Sequence, residues 1–370
     1  MRPDGSARIG PGARQVDVVS SLAARGLAVP MGSCPSVALG GLALGGGFGL
    51  AARAFGLTAD NVSAVEIVTA DGRILQCDRR RHAELFWASR GGGGGSFGVA
   101  TQFNVRTHAV STVSTFYATY AWSQLDAVIR AWFKLMADAP DALTSVCSVS
   151  TGRSEPTLHV SGQFIGSLSE LTRALSVFKR DVAPLRLTSN THSYLDAQLI
   201  WAGCLGRSIP ACHPSRVPGG TLGRDTFAGK SDYLREPLTQ TAIGVLRTAI
   251  ERRQLAGQGS GVVLLDSYGG AINRVLAENT AFVHRDMRAS LQYLAYWLAP
   301  PAKTASTVWL RELHAAMRPH VSGSAYQNYI DPELTTWRQA YYGSAYPRLT
   351  AVKTQYDPDR LFRFAQAAGT

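Results

Sequence analysis

At 370 residues, with 45% hydrophobic and 17% charged side chains, the chain exceeds what one hydrophobic core usually holds and is too apolar to be globally disordered, so two lobes are expected. Its formal charge of +11, from 37 Lys plus Arg against 26 Asp plus Glu, is scattered, and the densest basic run is Arg79-Arg80-Arg81. No nucleic-acid reader motif accompanies that charge, so nucleic acid is not an expected partner; a dinucleotide or another anionic small ligand is compatible with it.

Five cysteines, Cys34, Cys77, Cys147, Cys204 and Cys212, are too few and too dispersed for a disulfide scaffold or a zinc ribbon. Cys204 and Cys212 stand eight apart in a loop, either as a disulfide in an oxidising compartment or as two free buried thiols. The opening Met-Arg-Pro-Asp-Gly-Ser-Ala-Arg lacks the apolar stretch of a signal peptide, and no apolar run reaches the roughly 20 residues of a membrane span. As written the protein is expected to be cytoplasmic, or exported if its true start lies upstream and encodes a signal.

In chain order, Gln15 to Arg25 has apolar residues at Val16, Val18, Val19, Leu22 and Ala23, a helical spacing that ends near Gly26. Val62 to Thr69 nearly alternates and predicts a half-buried strand, Asp71-Gly72 a hairpin turn, and Arg73 to Cys77 the returning strand. From Tyr117 to Leu310 strand-like segments such as Thr157 to Phe164 alternate with helical ones such as Leu168 to Arg180, which predicts a second domain. The last sixty residues read as a helical stretch running into the turn and stop signal Asp357-Pro358-Asp359.

The glycine runs carry the chemistry. Gly40 to Gly49 holds six glycines in ten positions, and a second run spans Gly91 to Gly95. A flexible or tightly packed turn would explain one such run. Two in one lobe suggest a large planar or phosphate-bearing ligand wrapped by backbone, with consecutive N–H groups able to form an anion nest. The first run is not the Gly-x-Gly-x-x-Gly fingerprint that opens a helix, and the sequence has no strand-Gly-x-Gly-x-x-Gly-helix unit of a nicotinamide dehydrogenase. His159 and His192 fall outside any motif and read as structural or exposed, and no His/Asp/Glu spacing suggests a metal.

Gly32-Ser33-Cys34-Pro35-Ser36-Val37, the glycine loop, Arg53 to Asn61, Phe86-Trp87-Ala88-Ser89-Arg90, Tyr326-Gln327-Asn328-Tyr329-Ile330-Asp331 and Tyr356 to Phe364 together resemble the berberine-bridge-enzyme-like FAD oxidases of the vanillyl-alcohol-oxidase superfamily. The resemblance implies an α+β fold, a PCMH-type FAD-binding domain incomplete at its N-terminus with an inserted α+β substrate domain built on an antiparallel sheet. It divides the chain into residues 1–112 (FAD-binding), 113–312 (substrate-binding) and 313–370 (a closing segment returning to the FAD domain).

It further implies FAD, tethered covalently through Cys34, whose thiolate is the attacking species, with Pro35, Ser36, Val37, Gly40, Gly41, Leu44, Gly45, Gly46, Gly47, Gly49, Asp60, Asn61, Gly98, Val99 and Asn328 around the cofactor. Tyr329 matches a position that serves as base or substrate contact. Its ordinary pKa of about 10 means the site would have to stabilise phenolate. Gln292 stands where relatives carry a catalytic glutamate or a glutamine; a glutamine can only orient by hydrogen bonds. Tyr326 is a further catalytic candidate. The implied activity is oxidation of a hydroxylated small molecule, a sugar or secondary metabolite, by hydride transfer to flavin N5 with dioxygen as acceptor, without a protein partner. The alternative is a catalytically silent or ligand-binding remnant.

Relatives of this type carry roughly a hundred further residues before the point where this chain starts, including an Arg-x-Gly-Gly-His loop for the pyrophosphate, and none of the eight histidines here follows a Gly-Gly pair. The segment Arg8 to Ala13 resembles the strand after that subdomain. The expected reasons are a start codon placed too late, a degraded gene, or a protein that has lost its pyrophosphate cradle.

Overall fold

The computed structural model of the chain describes residues 5–257 and 259–369; the first four residues of the N-terminal reading lie outside them. Strand Ser6–Ile9 opens a four-stranded antiparallel sheet in the order Ser6–Ile9, Val99–Arg106, Val62–Val68, Ile74–Cys77. The expected hairpin is present. Thr69 N–H donates to the Arg73 carbonyl at 3.0 Å, and Gly72 takes φ +78°. The helix expected from Gln15 spans Gln15–Ala23 and turns at Gly26, φ +67°.

The second sheet has seven antiparallel strands in the order Arg186–Ser193, Thr112–Tyr120, Thr157–Ile165, Leu143–Ser150, Ser260–Ser267, Ala289–Tyr296, Phe227–Leu234. Helices Leu125–Asp138, Gln240–Ala256 and Ala302–Met317 pack on one face and form the largest core with Val263, Leu265, Leu291, Tyr293 and Ala295. Because side chains alternate along a strand, Asp266, Ser290 and Gln292 lie on the opposite face. That face meets the glycine-rich lobe, where the Gln163 amide donates to the Leu50 carbonyl at 3.1 Å. The stretch expected as one helix from Leu168 is two, Leu168–Ala174 and Ser176–Asp181, joined at the buried Leu175.

The C-terminal residues share a core with the first lobe: Trp337, Tyr341, Leu349 and Tyr356 pack with Leu39, Phe86 and Phe103. The Asp-Pro-Asp turn is built on one buried cation. Lys353 Nζ, 2% exposed, donates to the Ser96 carbonyl at 2.6 Å and also to Asp357 and the Phe362 carbonyl. Asp357 accepts from the Leu361 and Phe362 N–H groups at 2.7 and 2.9 Å. A buried amine with three acceptors satisfies its donors, and it pins the closing segment to the second glycine run.

All five thiols are free, and Cys204 and Cys212 are both fully buried beside Val16 and Leu199. Burial first, and then the neighbouring Cys204, pushes the Cys212 thiol up to about 12. In the flavin-free chain five thiols are therefore expected to titrate in denaturant without reductant; three would mean that this pair is oxidised. Among the described residues no helix is long and apolar enough to cross a membrane.

Candidate functional site

The glycine runs pack first against each other and against the Tyr-Gln-Asn-Tyr motif. Gly91 and Gly93 N–H groups donate to the Leu44 carbonyl at 3.0 and 2.9 Å. Gly47 N–H donates to the Tyr326 hydroxyl at 2.9 Å, the Gln327 amide donates to the Gly45 and Gly91 carbonyls, and the Asn328 amide donates to the Leu42 carbonyl at 3.1 Å and the Tyr326 hydroxyl at 2.9 Å. A Cβ on Gly45 would collide with Asn328, and one on Gly49 with the Met31 carbonyl. Most of these glycines thus allow the protein's own close approach.

Most of the glycine N–H groups that an anion nest would use have partners inside the protein. The N–H groups of Gly40, Gly45, Gly46, Gly47, Gly91, Gly92 and Gly93 are each committed to a partner within the chain.

Between the stapled glycine runs and the polar face of the seven-stranded sheet lies a cavity of about 590 Å³, within the size range of cofactor and ligand sites. Of the expected residues it gathers Cys34, Val37, Gly41, Gly49, Gln292, Tyr326, Asn328 and Tyr329.

The others stand off the wall for identifiable reasons. Pro35 and Ser36 turn their carbonyls to Val16 N–H and Arg14. Gly40 abuts Pro11, Gly46 abuts Phe282 and Gly47 abuts Thr58, while Gly98 lies against Val68 and Ile67. The Leu44 carbonyl is used by Gly91 and Gly93. Asp60 is consumed by a bidentate pair with Arg285 at 2.6 and 2.8 Å plus Leu57 N–H at 2.9 Å. The Asn61 amide caps the Phe55 and Leu57 carbonyls at 2.9 Å each, and Val99 points outward, 55% exposed.

One residue that sequence reasoning passed over stands at the centre. Asp266 is the only carboxylate lining the cavity among the described residues. It sits opposite Ser290 in the sheet register, diagonal to Gln292, and the Gln292 amide donates to its Oδ2 at 2.7 Å. Burial pushes its pKa up to about 6, against the lowering effect of Gln292. A carboxyl poised just below neutrality in a cleft is what proton transfer requires.

Tyr329 faces the same space, its ring edge-on to Tyr326 at 4.9 Å. Burial, and after it the charges of Asp266, Tyr326 and Cys34, holds its pKa well above that of free tyrosine. The protein therefore supplies none of the phenolate stabilisation that a base at this position would need. Cys34 opens onto the cavity while being surrounded by its walls. Burial raises its pKa, and a hydrogen bond with Ser33 opposes the rise.

Three more lining residues, Gln15, Gln327 and Gln366, were not among the expected site residues, although Gln327 lies in the Tyr-Gln-Asn-Tyr motif. The side-chain amides of Gln15 and Gln366 donate to the Cys34 and Asp331 carbonyls at 2.8 Å each, and that of Gln327 to the glycine carbonyls above. Each leaves its Oε1 buried without a partner. An unmet buried acceptor costs about 1–3 kcal/mol, so a ligand bearing donors is called for.

Residues 2–78 match the family model described as "FAD binding domain", and residues 325–368 the one described as "Berberine and berberine like". The "Uncharacterized FAD-linked oxidoreductase YgaK" of Bacillus subtilis (strain 168) is 32% identical over 366 residues, 98% of this chain and 76% of that protein. The chain belongs to the berberine-bridge-enzyme-like family of FAD-linked oxidoreductases. The solved "Physcomitrella patens BBE-like 1 wild-type" is 27% identical with a TM-score of 0.88, covering 98% of this chain and 77% of that one. A "Chitooligosaccharide oxidase" structure is 26% identical with a TM-score of 0.87, covering 100% and 79%. The α+β fold and the FAD cofactor expected from the motifs follow from this membership. The chain spans about three-quarters of the length of the YgaK relative.

An isoalloxazine ring has an imide N–H and a ribityl chain has hydroxyls, which are the donors that the three glutamine oxygens lack. The ring and ribityl portions of FAD therefore fit the cavity. No Lys, Arg or His lines the cavity among the described residues, so a diphosphate would meet no cation there.

Proposed function

We propose that this family member is an FAD-dependent oxidase acting on a hydroxyl group of a neutral small molecule, a sugar or secondary metabolite. The observation that supports it most is the meeting in one cavity of Cys34, Tyr329 and the Gln292-held carboxylate of Asp266. When bound, the flavin supplies a hydride acceptor at N5 that is returned to the oxidised state by dioxygen. Gln15, Gln327 and Gln366 would accept hydrogen bonds from it, Gly41, whose Cβ direction is open, would give it room, and Cys34 would tether it.

The chain's own task is to take the proton of the substrate hydroxyl. With a pKa of about 6, Asp266 is ionised at neutral pH. Its Oδ2 is held by Gln292, which leaves Oδ1 to receive the proton. Tyr329 stays protonated and orients the substrate oxygen by donating a hydrogen bond. The catalytic part expected of Tyr329 as base thus passes to Asp266, with Tyr329 as its partner. Tyr326, whose hydroxyl is bound to Gly47 and Asn328, fixes the glycine loop.

Oxygen consumption by the flavin-loaded chain across neutral sugars and benzylic alcohols tests this reading. A yellow chain that consumes oxygen with none of them would instead be the silent family member. Tyr329→Phe is expected to lower turnover roughly tenfold to a hundredfold, the loss of one hydrogen bond to a charged centre, with flavin retention unchanged; equal turnover removes Tyr329 from the mechanism. Cys34→Ala should release all flavin into the supernatant on acid precipitation, and flavin that stays with the pellet places the tether elsewhere.

A further inference from the structure

Resting on the role proposed for Tyr329, the packing around it also says what holds that tyrosine in place. Asp266 and Gln292 stand on strands, whereas Tyr329 stands on residues 326–331, which are neither helix nor strand. Its position therefore depends on what the two ends of this segment are fastened to.

The near end is fastened through Tyr326. Its N–H donates to the Ser231 hydroxyl at 3.0 Å, and its carbonyl accepts from the Tyr329 N–H at 2.9 Å, which closes a turn. The far end is fastened through Asp331, every polar group of which has a partner. Its N–H donates to the Tyr341 hydroxyl at 2.9 Å, and its carbonyl accepts from the Gln366 amide at 2.8 Å. Oδ1 accepts from the Glu333 N–H at 2.9 Å, and Oδ2 from Lys230 Nζ at 2.7 Å. Lys230 and Asp331 are both buried, and Glu333 gives Lys230 a second carboxylate at 3.0 Å.

Lys230 and Ser231 are neighbours on the strand Phe227–Leu234, with Ser231 opposite Gln292 and Lys230 opposite Tyr293 in the sheet register. One strand thus ties both ends of the segment and borders the strand that presents Gln292, so Tyr329 and the Gln292–Asp266 pair are placed from a shared backbone. A buried ion pair resists parting, because parting it leaves an uncompensated charge in the interior. Such stiffness matters here, since a hydrogen bond given by the Tyr329 hydroxyl weakens steeply as its angle falls.

We infer that Lys230 and Ser231 are positioning residues for Tyr329: from adjacent places on one strand they hold the segment so that the Tyr329 hydroxyl meets the substrate oxygen beside Asp266.

Fluorine NMR of the chain labelled with 3-fluorotyrosine reads this placement without substrate or turnover. Of the 13 tyrosines, the Tyr329 line is the one missing from the spectrum of Tyr329→Phe. In Lys230→Met that line should shift or broaden while most of the others stay; Ser231→Ala, which removes the other tie without stranding a charge, gives the same reading should Lys230→Met fail to fold. In the flavin-loaded enzyme the same variant should lower kcat roughly tenfold with KM changed less than about twofold. In the Tyr329→Phe background it should lower kcat by less than about twofold, since nothing is left to position. A Tyr329 line unchanged in the variant, or a loss of turnover that multiplies fully with that of Tyr329→Phe, would overturn the inference. Tyr329→Phe as active as the parent would overturn the role of Tyr329 itself, and this inference with it.

Discussion

Replacing Asp266 with Asn is expected to move activity and stability in opposite directions at pH 7. Turnover should fall about 10²–10⁴-fold, the usual contribution of a positioned general base, because Asn accepts the Gln292 hydrogen bond but cannot take a proton. The fold should become more stable by up to about 3 kcal/mol, since a carboxyl raised by about two pKa units stores that much. The direction follows from the position of the pKa, about 6 in the folded chain against 3.8 for the free group. A raised folded value means that the group's contribution to stability is full below about pH 4 and is lost as pH rises through 6. The stability gain of Asp266→Asn should therefore disappear at pH 4. In the unmodified enzyme, turnover should fall as pH drops through about 6. A variant that is both fully active and no more stable than the parent would remove Asp266 from the mechanism.

The second large effect lies off the cavity. Asp60 and Arg285 are each 5% exposed and joined by two short bonds, and Arg285 lies over the Phe282 ring at 4.9 Å. Asp60→Ala strands a guanidinium in the interior and is expected to cost about 3–5 kcal/mol. Denaturant or thermal unfolding of the variant checks this; a loss under about 1 kcal/mol would mean that Arg285 finds enough compensation in the Phe282 and Ile272 carbonyls it already touches. Any loss of flavin should track the loss of fold, because both carboxylate oxygens of Asp60 are already occupied.

Local pattern carried the elements whose causes are local. The Gln15 helix with its Gly26 stop and the hairpin at Asp71-Gly72 follow from spacing and turn chemistry over a few residues, and the structure has both. The glycine runs were visible, but their reason was not. Asn328, Gln327 and Phe282, which crowd them, come from more than 180 residues away, so no local reading could separate room for a ligand from room for the protein itself.

Asp266 was hidden for the same kind of reason. In Val262-Val263-Leu264-Leu265-Asp266 it reads as the polar end of an apolar strand. It becomes a catalytic candidate only when sheet register sets it diagonal to Gln292 and the sheet's free face meets the glycine lobe. The unpartnered glutamine oxygens left no trace in sequence, since any exposed Gln looks the same.

The account's central claim is that this cavity holds the flavin at Cys34. Its most direct test is the visible spectrum and intact mass of the purified chain after incubation with FAD, before and after denaturation. The account predicts flavin absorbance that stays with the denatured polypeptide, one FAD of added mass, and loss of both in Cys34→Ala. A colourless chain at its bare polypeptide mass would contradict it.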